Sequence, residues 1–258
     1  MSLQGKIAVV SGASRGLGAG MALDLAQQGA SVMLLYTSDS SASKVDALVT
    51  KITSLPHSPR AASCKADLSS LSAPDAVLSA LDTWLGAEGK IDILINNAGT
   101  EINAPLGAIT PESFAKVYDV NVRAPLLLTQ ALLPRLSTAG GAAARIINIS
   151  SVGGRFGFPG MGLYCSSKAA LEGLTRCWAR ELGGNGTTVN CVAPGPVQSD
   201  MLDNIPAELV AMQKAQTPVQ NRLGTTEEVA RIVTWLAGPE ASWVSGQVIS
   251  ASGGWAMY

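Results

Sequence analysis

Short apolar runs rich in β-branched residues alternate with longer segments of helical character along the 258 residues of this chain. Several of the short runs are almost continuously apolar, which is typical of parallel strands covered on both faces. The pattern predicts seven strands, at 6–11, 31–36, 61–65, 91–96, 145–150, 187–192 and 247–250. It predicts helices between them at 16–28, 42–54, 73–86, 112–137, 162–183 and 226–237.

This alternation indicates an α/β protein with a single-domain Rossmann fold, in which a doubly wound seven-stranded parallel sheet carries helices on both faces. The sequence shows no repeat or linker that would separate two domains, so residues 1–258 are treated as one. We expect a cofactor half at about 1–100 and a substrate and catalytic half at about 100–258. Ligands of such sheets bind outside the carboxyl ends of the strands, where the strand order reverses.

The composition excludes several classes of partner. Charged residues make up 14% of the chain and hydrophobic residues 47%, and the 18 basic and 19 acidic side chains leave a net charge of −1. Because the basic residues are not clustered, we expect no nucleic acid and no anionic membrane surface as a partner. The longest apolar runs are far shorter than the ~18 residues that a membrane span needs.

The cysteines and the single histidine limit the chemistry further. The four cysteines show no paired spacing, and the first residues lack the features of a secretory signal, so we expect reduced thiols and a cytoplasmic protein. His57 is the only histidine and lies in a turn between two prolines, which excludes a multi-histidine metal site; no metal is expected. A serine hydrolase would depend on that one residue, and the chain has no GxSxG elbow.

A glycine-rich turn follows the first predicted strand and precedes the first helix. Its glycines form the pattern GxxxGxG, a variant of the dinucleotide fingerprint in which the backbone approaches a pyrophosphate at a helix N-terminus. The alternative is a tight turn that binds nothing. Under the first interpretation the cofactor-binding residues of this turn are Gly12, Ser14, Arg15, Gly16, Leu17 and Gly18.

The end of the second strand bears on the choice of cofactor. An acidic residue there would bind the ribose hydroxyls of NAD and repel a 2′-phosphate. This sequence has the neutral residues Tyr36, Thr37 and Ser38, and Arg15 can approach from the first helix. Asp39 lies near the usual spacing of the ribose acid, but we place it beyond the strand end. The sequence therefore favours NADP (NADPH) over NAD.

Three residues with acid–base character lie near the fifth strand and the helix after it. Ser151 ends the strand region, and Tyr164 and Lys168 share one helix face at the spacing i, i+4. A tyrosine has a pKa near ~10, which a nearby ammonium and an oxidised nicotinamide would both lower. The alternative is an amphipathic helix that exposes a tyrosine and a lysine.

The ordered set of motifs resembles the short-chain dehydrogenase/reductase family, and within it carbonyl reductases similar to 3-oxoacyl-acyl-carrier-protein reductases. The motifs that carry the resemblance are SGASRGLG (11–18), Asp67-Leu68, NNAG (96–99), Asn121, Ser151, YxxxK (164–168), PGPV (194–197), RLGTTEEVA (222–230) and VSGQ (244–247).

The resemblance implies a role for each matching residue. Tyr164 would be the general acid, Lys168 would lower its pKa and bind the nicotinamide ribose, and Ser151 would orient the carbonyl. Asn121 would anchor a water that relays protons to Lys168, although a buried amide bonded to backbone groups is an equally simple interpretation. The further cofactor-binding residues implied are Asp67, Leu68, Asn97, Ala98, Gly99, Pro194, Gly195, Val197 and Ser199.

The sequence thus predicts an NADPH-dependent reductase of a hydrophobic small-molecule ketone. The expected substrate pocket consists of Glu101, Phe156, Phe158, Met161, Leu163 and Met201. Alternatives are a 3-oxoacyl-thioester reductase acting on acyl carrier protein or coenzyme A, an NAD-linked alcohol dehydrogenase, and a non-catalytic dinucleotide sensor. A carrier-bound substrate is disfavoured because 137–144 and 183–188, where those reductases place basic residues, are uncharged. The resemblance also implies a homotetramer, with 253–258 at an interface.

Overall fold

A computed structural model describes residues 2–138, 143–198 and 206–258. Seven parallel strands form one sheet in the order β3-β2-β1-β4-β5-β6-β7, which confirms the predicted fold class. The strands are β1 (Ile7–Val10), β2 (Ser31–Tyr36), β3 (Ala61–Lys65), β4 (Ile93–Asn96), β5 (Arg145–Ile149), β6 (Thr188–Pro194) and β7 (Val248–Ala251).

Helices cover both faces of the sheet. They are α1 (Gly16–Gln27), α2 (Ala42–Thr53), α3 (Ala73–Leu85), α4 (Pro111–Tyr118), α5 (Ala124–Leu132), α6 (Gly162–Leu182), α7 (Ala207–Ala215) and α8 (Thr226–Ala237). One buried apolar layer holds α1 and α8 against the sheet through residues such as Leu25 and Val233. The opposite layer holds α3, α5 and α6 through Leu81, Leu128 and Trp178. None of the helices in the described ranges is long and apolar enough to cross a bilayer.

The helix predicted over 112–137 is helical as far as Leu132, but it is not one regular helix, because it consists of α4, a π-helical turn at Asp119–Arg123, and α5. Pro125 lacks the N–H that a regular α-helix would use to bond the carbonyl of Asn121. The chain accommodates the proline by widening the turn, so that Ala124 N–H donates to the carbonyl of Asp119 five residues earlier. Such widened turns occur frequently at functional sites.

The strand order reverses between β1 and β4, and Ser11 ties the two strand ends together at that point. Its hydroxyl donates to the Ile95 carbonyl (3.3 Å) and accepts the N–H groups of Asn97 (2.9 Å) and Ala98 (3.0 Å). These bonds fix the glycine turn after β1 beside the NNAG segment after β4. The crevice where a ligand is expected is therefore held by bonds from the Ser11 hydroxyl to backbone groups.

Candidate active site

The glycine turn packs so closely that side chains cannot replace two of its glycines. Gly12 has φ +64°, and a Cβ there would lie 2.9 Å from the Cα of Ala98. A Cβ on Gly18 would overlap the carbonyl oxygen of Gly12 and approach the Asn97 amide. That amide donates to the carbonyls of Ser11 (2.9 Å) and Gly12 (3.2 Å), so Asn97 supports the turn directly.

The N-terminus of α1 is suited to bind an anion. Arg15 occupies the N-cap without a side-chain capping bond, and the first turn contains no acidic residue. The partial positive charge of the helix end is therefore not neutralised by the helix itself. The guanidinium of Arg15 is exposed beside it, and the turn includes Ser14, Gly16 and the partly buried Leu17. A pyrophosphate fits this combination of free N–H groups and bare backbone.

The acid near the expected adenosine end is paired with the last residue of the neighbouring strand β3. β2 ends at Tyr36, and Asp39 begins a short 3-10 turn beyond Thr37 and Ser38. The Asp39 carboxylate lies 2.6 Å from the ammonium of Lys65, and its side chain is 84% exposed. Its charge is thus paired at the outer edge of the sheet.

Ser151, Tyr164 and Lys168 are gathered at the carboxyl end of β5. Ser151 caps the short turn that follows the strand, with its hydroxyl accepting the Gly153 N–H (3.1 Å). Lys168 is 4% exposed, and its ammonium donates to the Ile149 carbonyl (2.8 Å) and lies 5.7 Å from the centre of the Tyr164 ring. The strand and the first two turns of α6 therefore place a hydroxyl, a phenol and an ammonium side by side.

Burial dominates the acid–base properties of this group. It raises the pKa of Tyr164 to about 12, more than hydrogen bonding to the Ser151 hydroxyl lowers it, and the negative charge of Glu101 adds to the rise. Burial also lowers the pKa of Lys168 to about 8. In the protein alone, the shift of Tyr164 is the reverse of the lowering expected from the sequence. The phenol therefore holds its proton at neutral pH.

Asn121 lies fully buried in the π-helical turn, and both polar atoms of its side chain form hydrogen bonds with other protein groups. Its Oδ1 accepts the Thr100 N–H (2.8 Å), and its Nδ2 donates to the Thr100 carbonyl (2.9 Å) and the Ser167 hydroxyl (2.9 Å). Any water held by this residue would have to use its main-chain carbonyl, which Pro125 leaves without its regular helical donor. Gly99 lies beside it, and a Cβ there would be 3.3 Å from the Lys168 ammonium.

The remaining cofactor candidates lie around the same crevice. Asp67 accepts the N–H (3.0 Å) and the hydroxyl (2.8 Å) of Ser69, which shapes the turn after β3, and Leu68 is buried behind it. Pro194 ends β6, and the N–H of Gly195 donates to the carbonyl of Ala251 (3.1 Å). The other candidates here are Ala98, which packs beneath the crevice, and Val197, which is buried and bridged to Gly224. Ser199 lies outside the described residues.

The predicted pocket residues are only partly brought together. The rings of Phe156 and Phe158 lie 5.4 Å apart, and Phe158 and the Ser151 hydroxyl are both within 3.5 Å of the position that a Cβ on Gly153 would take. Met161 precedes α6 and Glu101 is exposed near Tyr164. Leu163 is buried and contributes to packing. Met201 lies outside the described residues.

Sequence reasoning missed Glu172, whose buried carboxylate lies next to the carboxyl end of β5. It accepts the hydroxyl of Ser150 (2.9 Å) and forms an ion pair with Arg155 (2.9 Å). The signal was present, because Glu172 follows Lys168 by four residues and so extends the same helix face as Tyr164. An acid on a helix face that is otherwise buried needs a partner, and the chain supplies two.

The described ranges contain no cluster of three or more His, Cys, Asp or Glu side chains placed to hold a metal ion. What the crevice offers is a backbone cradle, a helix N-terminus and, next to them, a serine, a tyrosine and a lysine. This combination fits a nicotinamide dinucleotide, since bare glycines and N–H groups accommodate its phosphates and Gly99 leaves space beside Lys168. The fold and site define the class of dinucleotide-dependent oxidoreductases.

The chain belongs to the short-chain dehydrogenase/reductase family. Residues 12–256 match the family profile described as Enoyl-(Acyl carrier protein) reductase. The chain is similar to the short-chain dehydrogenase/reductase FrzI of Cladobotryum sp. (40% identity, covering 98% of this chain and 96% of the relative) and to an L-xylulose reductase of Aspergillus niger (39%, 98% of both). A blue fluorescent protein from a metagenomic library, solved in complex with NADPH, shares the fold with a TM-score of 0.89 and 36% identity over the whole of both chains.

Proposed function

We propose that this oxidoreductase uses NADPH to reduce the ketone of a hydrophobic small molecule, with Tyr164 as the proton donor. The observation that carries the proposal is the gathering of Ser151, Tyr164 and Lys168 beside the glycine turn, with the phenol held protonated by its surroundings. A sensor that only bound the dinucleotide would not need a proton donor and a buried ammonium at the same strand end.

The residues of the chain account for the proton chemistry. Reduced nicotinamide, when bound, supplies a hydride to the carbonyl carbon. Tyr164 donates its phenolic proton to the carbonyl oxygen, and the Ser151 hydroxyl donates a hydrogen bond that holds that oxygen in line. The ammonium of Lys168 stabilises the tyrosinate that results, because an adjacent positive charge favours the charged form of the phenol.

The preference for NADP rests on the charges around the end of β2. The residues there, Tyr36, Thr37 and Ser38, are neutral, and the carboxylate of Asp39 is paired with Lys65 at the outer edge. Arg15 is exposed at the N-terminus of α1 and can meet a 2′-phosphate. The similar protein in complex with NADPH supports the same preference.

A hydrophobic substrate is supported by the aromatic side chains near Ser151. The Phe158 ring and the Ser151 hydroxyl both lie within 3.5 Å of the Cβ position of Gly153, and Phe156 is half-exposed next to Phe158. An apolar wall with one hydroxyl and one phenol at its base suits a ketone whose carbonyl is its only polar group. We therefore rank free ketones above thioesters of coenzyme A or acyl carrier protein, and ketone reduction above NAD-linked alcohol oxidation.

The proposal is tested by following nicotinamide absorbance with acetophenone, cyclohexanone and acetoacetyl-coenzyme A, each with NADPH and with NADH. We expect the free ketones and NADPH to give the highest kcat/KM. Tyr164→Phe should lower kcat by at least about 100-fold, as expected for removal of a general acid. Tyr118→Phe is the matched control, because the Tyr118 hydroxyl bonds only to Ser166 on the outer surface. Equal rates for Tyr164→Phe and wild type would refute the mechanism.

We also propose that the chain forms a homotetramer in the cytoplasm. Two large apolar side chains outside the site, Trp243 (98% exposed) and Leu106 (97% exposed), are the kind of surface that subunit contacts cover. Light scattering on the purified protein measures the mass directly. A monomer at micromolar concentration would refute this assembly.

A further inference from the structure

Two segments far apart in the sequence pack against each other next to Ser151. The first is the substrate loop, which we define as residues 152–158, between the catalytic serine and the approach to α6. The second is the C-terminal segment, residues 253–258. The family resemblance places the second segment at a subunit interface, but the structure also brings part of it onto the loop of its own chain.

One contact holds Arg155 of the substrate loop from two sides. Its guanidinium pairs with the buried carboxylate of Glu172 (2.9 Å) and lies over the ring of Tyr258, 4.7 Å from the ring centre. The loop backbone also touches the carboxylate, because a Cβ on Gly154 would lie 2.7 Å from Glu172 Oε1. The arginine therefore joins α6 to the C-terminal segment through the loop, instead of facing a substrate.

A second contact is an aromatic cluster. Trp255 packs against Phe156 (5.3 Å between ring centres, edge-on) and Phe158 (5.5 Å), which themselves lie 5.4 Å apart. Phe158 and the Ser151 hydroxyl both lie within 3.5 Å of the Cβ position of Gly153, so the indole packs behind an aromatic ring that is near the site. Aromatic pairs at these separations are mutually stabilising.

The C-terminal segment is itself fixed to the end of β7. Gly253 (φ +60°) and Gly254 (φ +81°) reverse the chain, a conformation that other residues rarely adopt. The Ser250 hydroxyl donates to the Ala256 carbonyl (2.8 Å), and the Ser252 hydroxyl accepts the Ala256 N–H (3.2 Å). The aromatic residues on either side of Ala256 are thus presented from a rigid turn.

We propose that Trp255 and Tyr258 are positioning residues that hold the substrate loop, and through it the apolar wall beside Ser151. The expected effect on KM rests on the proposed ketone reductase function, whereas the expected effect on the mobility of the substrate loop does not. The loop makes its own short-range bonds, from the N–H groups of Arg155 and Phe156 to the Val152 carbonyl (3.1 and 2.9 Å). Val152 and Gly153 are also buried, with Gly153 beside the thiol of Cys165 on α6. Glu172 and the C-terminal segment therefore support the part of the loop that contains Arg155, Phe156 and Phe158.

The kinetic test compares Trp255→Ala and Tyr258→Ala with Met257→Ala in the full-length protein. Met257 lies between the two in sequence and is the matched control, because its side chain is 81% exposed. With acetophenone and NADPH, we expect each positioning variant to raise KM for the ketone by about tenfold, with kcat and the NADPH dissociation constant nearly unchanged. Trp255→Phe and Tyr258→Phe should restore KM, because a ring and not its polar atom makes each contact.

Hydrogen exchange provides a readout that is independent of activity. Loss of either ring should speed exchange of the Gly154, Arg155 and Phe156 amides by about tenfold and leave α1 and α8 unchanged. Unchanged loop exchange in Tyr258→Ala and Trp255→Ala would overturn the proposal, and Tyr258→Ala decides alone if the tryptophan variant does not fold. If wild type reduces no ketone but the loop exchange responds as expected, the proposed function fails and the positioning role stands.

Discussion

Replacing Lys168 by methionine tests whether burial of its ammonium lowers the stability of the folded protein. Lys168 is 4% exposed, and burial lowers its pKa from 10.5 to about 8. Keeping the ammonium charged in the folded protein therefore costs about 3 kcal/mol of folding free energy at a pH below 8, at ~1.36 kcal/mol per pKa unit. Methionine fills a similar volume without the charge, but gives up the hydrogen bond to the Ile149 carbonyl.

The pH dependence separates the charge from the hydrogen bond. Between pH 8 and pH 10.5 the unfolded chain binds a proton at Lys168 that the folded protein has released, so the stability of wild type rises with pH across this range. Lys168→Met lacks this rise. The free energy of unfolding of the variant minus that of wild type should therefore be about 2 kcal/mol larger at pH 7 than at pH 10.

The assay is urea-induced unfolding followed by tryptophan fluorescence at both pH values. Lys44→Met is the matched control, since Lys44 is exposed on α2 and its replacement should show no such dependence. The same Lys168→Met protein should have lost ketone reduction. A stability difference that is equal at the two pH values, or larger at pH 10, would refute the depressed pKa of Lys168.

Three further outcomes are expected. Gly18→Ala should weaken NADPH binding by at least about tenfold, because its Cβ would overlap the Gly12 carbonyl. Calorimetry measures this affinity, with Gly173→Ala as the control, since the atom nearest to a Cβ on Gly173 lies 3.9 Å away. Equal affinities of the two variants would contradict the prediction. Thr37→Asp should shift the ratio of kcat/KM toward NADH by at least about tenfold through repulsion of a 2′-phosphate, and an unchanged ratio would argue against NADP. The rate of ketone reduction should fall above pH about 8, because Lys168 loses its charge there. Tyr164, with a pKa of about 12, stays protonated over the same range. A pH–rate profile that stays flat to pH 10 would contradict this prediction.

Most of the sheet was predictable because its information is local. Apolar runs such as those of β2 and β5 are typical of parallel strands buried on both faces, and β2 and β3 begin and end at the predicted residues. The break within 112–137 was not found, because helical periodicity continues through it. Its sequence signal is Pro125, whose missing N–H removes one helical hydrogen bond in the middle of the segment.

The same distinction between local and long-range information applies to the site. The glycine turn and the Tyr164–Lys168 pair are visible in the sequence because each lies within one short segment. The contacts of Arg155 join three segments, and Glu172 and Tyr258 are 17 and 103 positions away from it in the sequence. No local sequence pattern indicates that Arg155 contacts Glu172 and Tyr258. Burial is likewise a property of the whole fold, which is why the raised pKa of Tyr164 could not be derived from a nearby lysine alone.

The raised pKa of Tyr164 also bears on the direction of the reaction. Bringing the phenol from a pKa of about 12 to 7 requires about 7 kcal/mol in favour of the tyrosinate, at ~1.36 kcal/mol per unit. The ammonium of Lys168, 5.7 Å from the ring centre, supplies about 3 kcal/mol in a medium with an effective dielectric constant of about 20. Lys168 alone therefore cannot turn Tyr164 into the base that alcohol oxidation needs at neutral pH, and a second positive charge must contribute the rest. Ketone reduction starts from the protonated phenol, so the raised pKa of Tyr164 supports the proton-donor role that we propose for it.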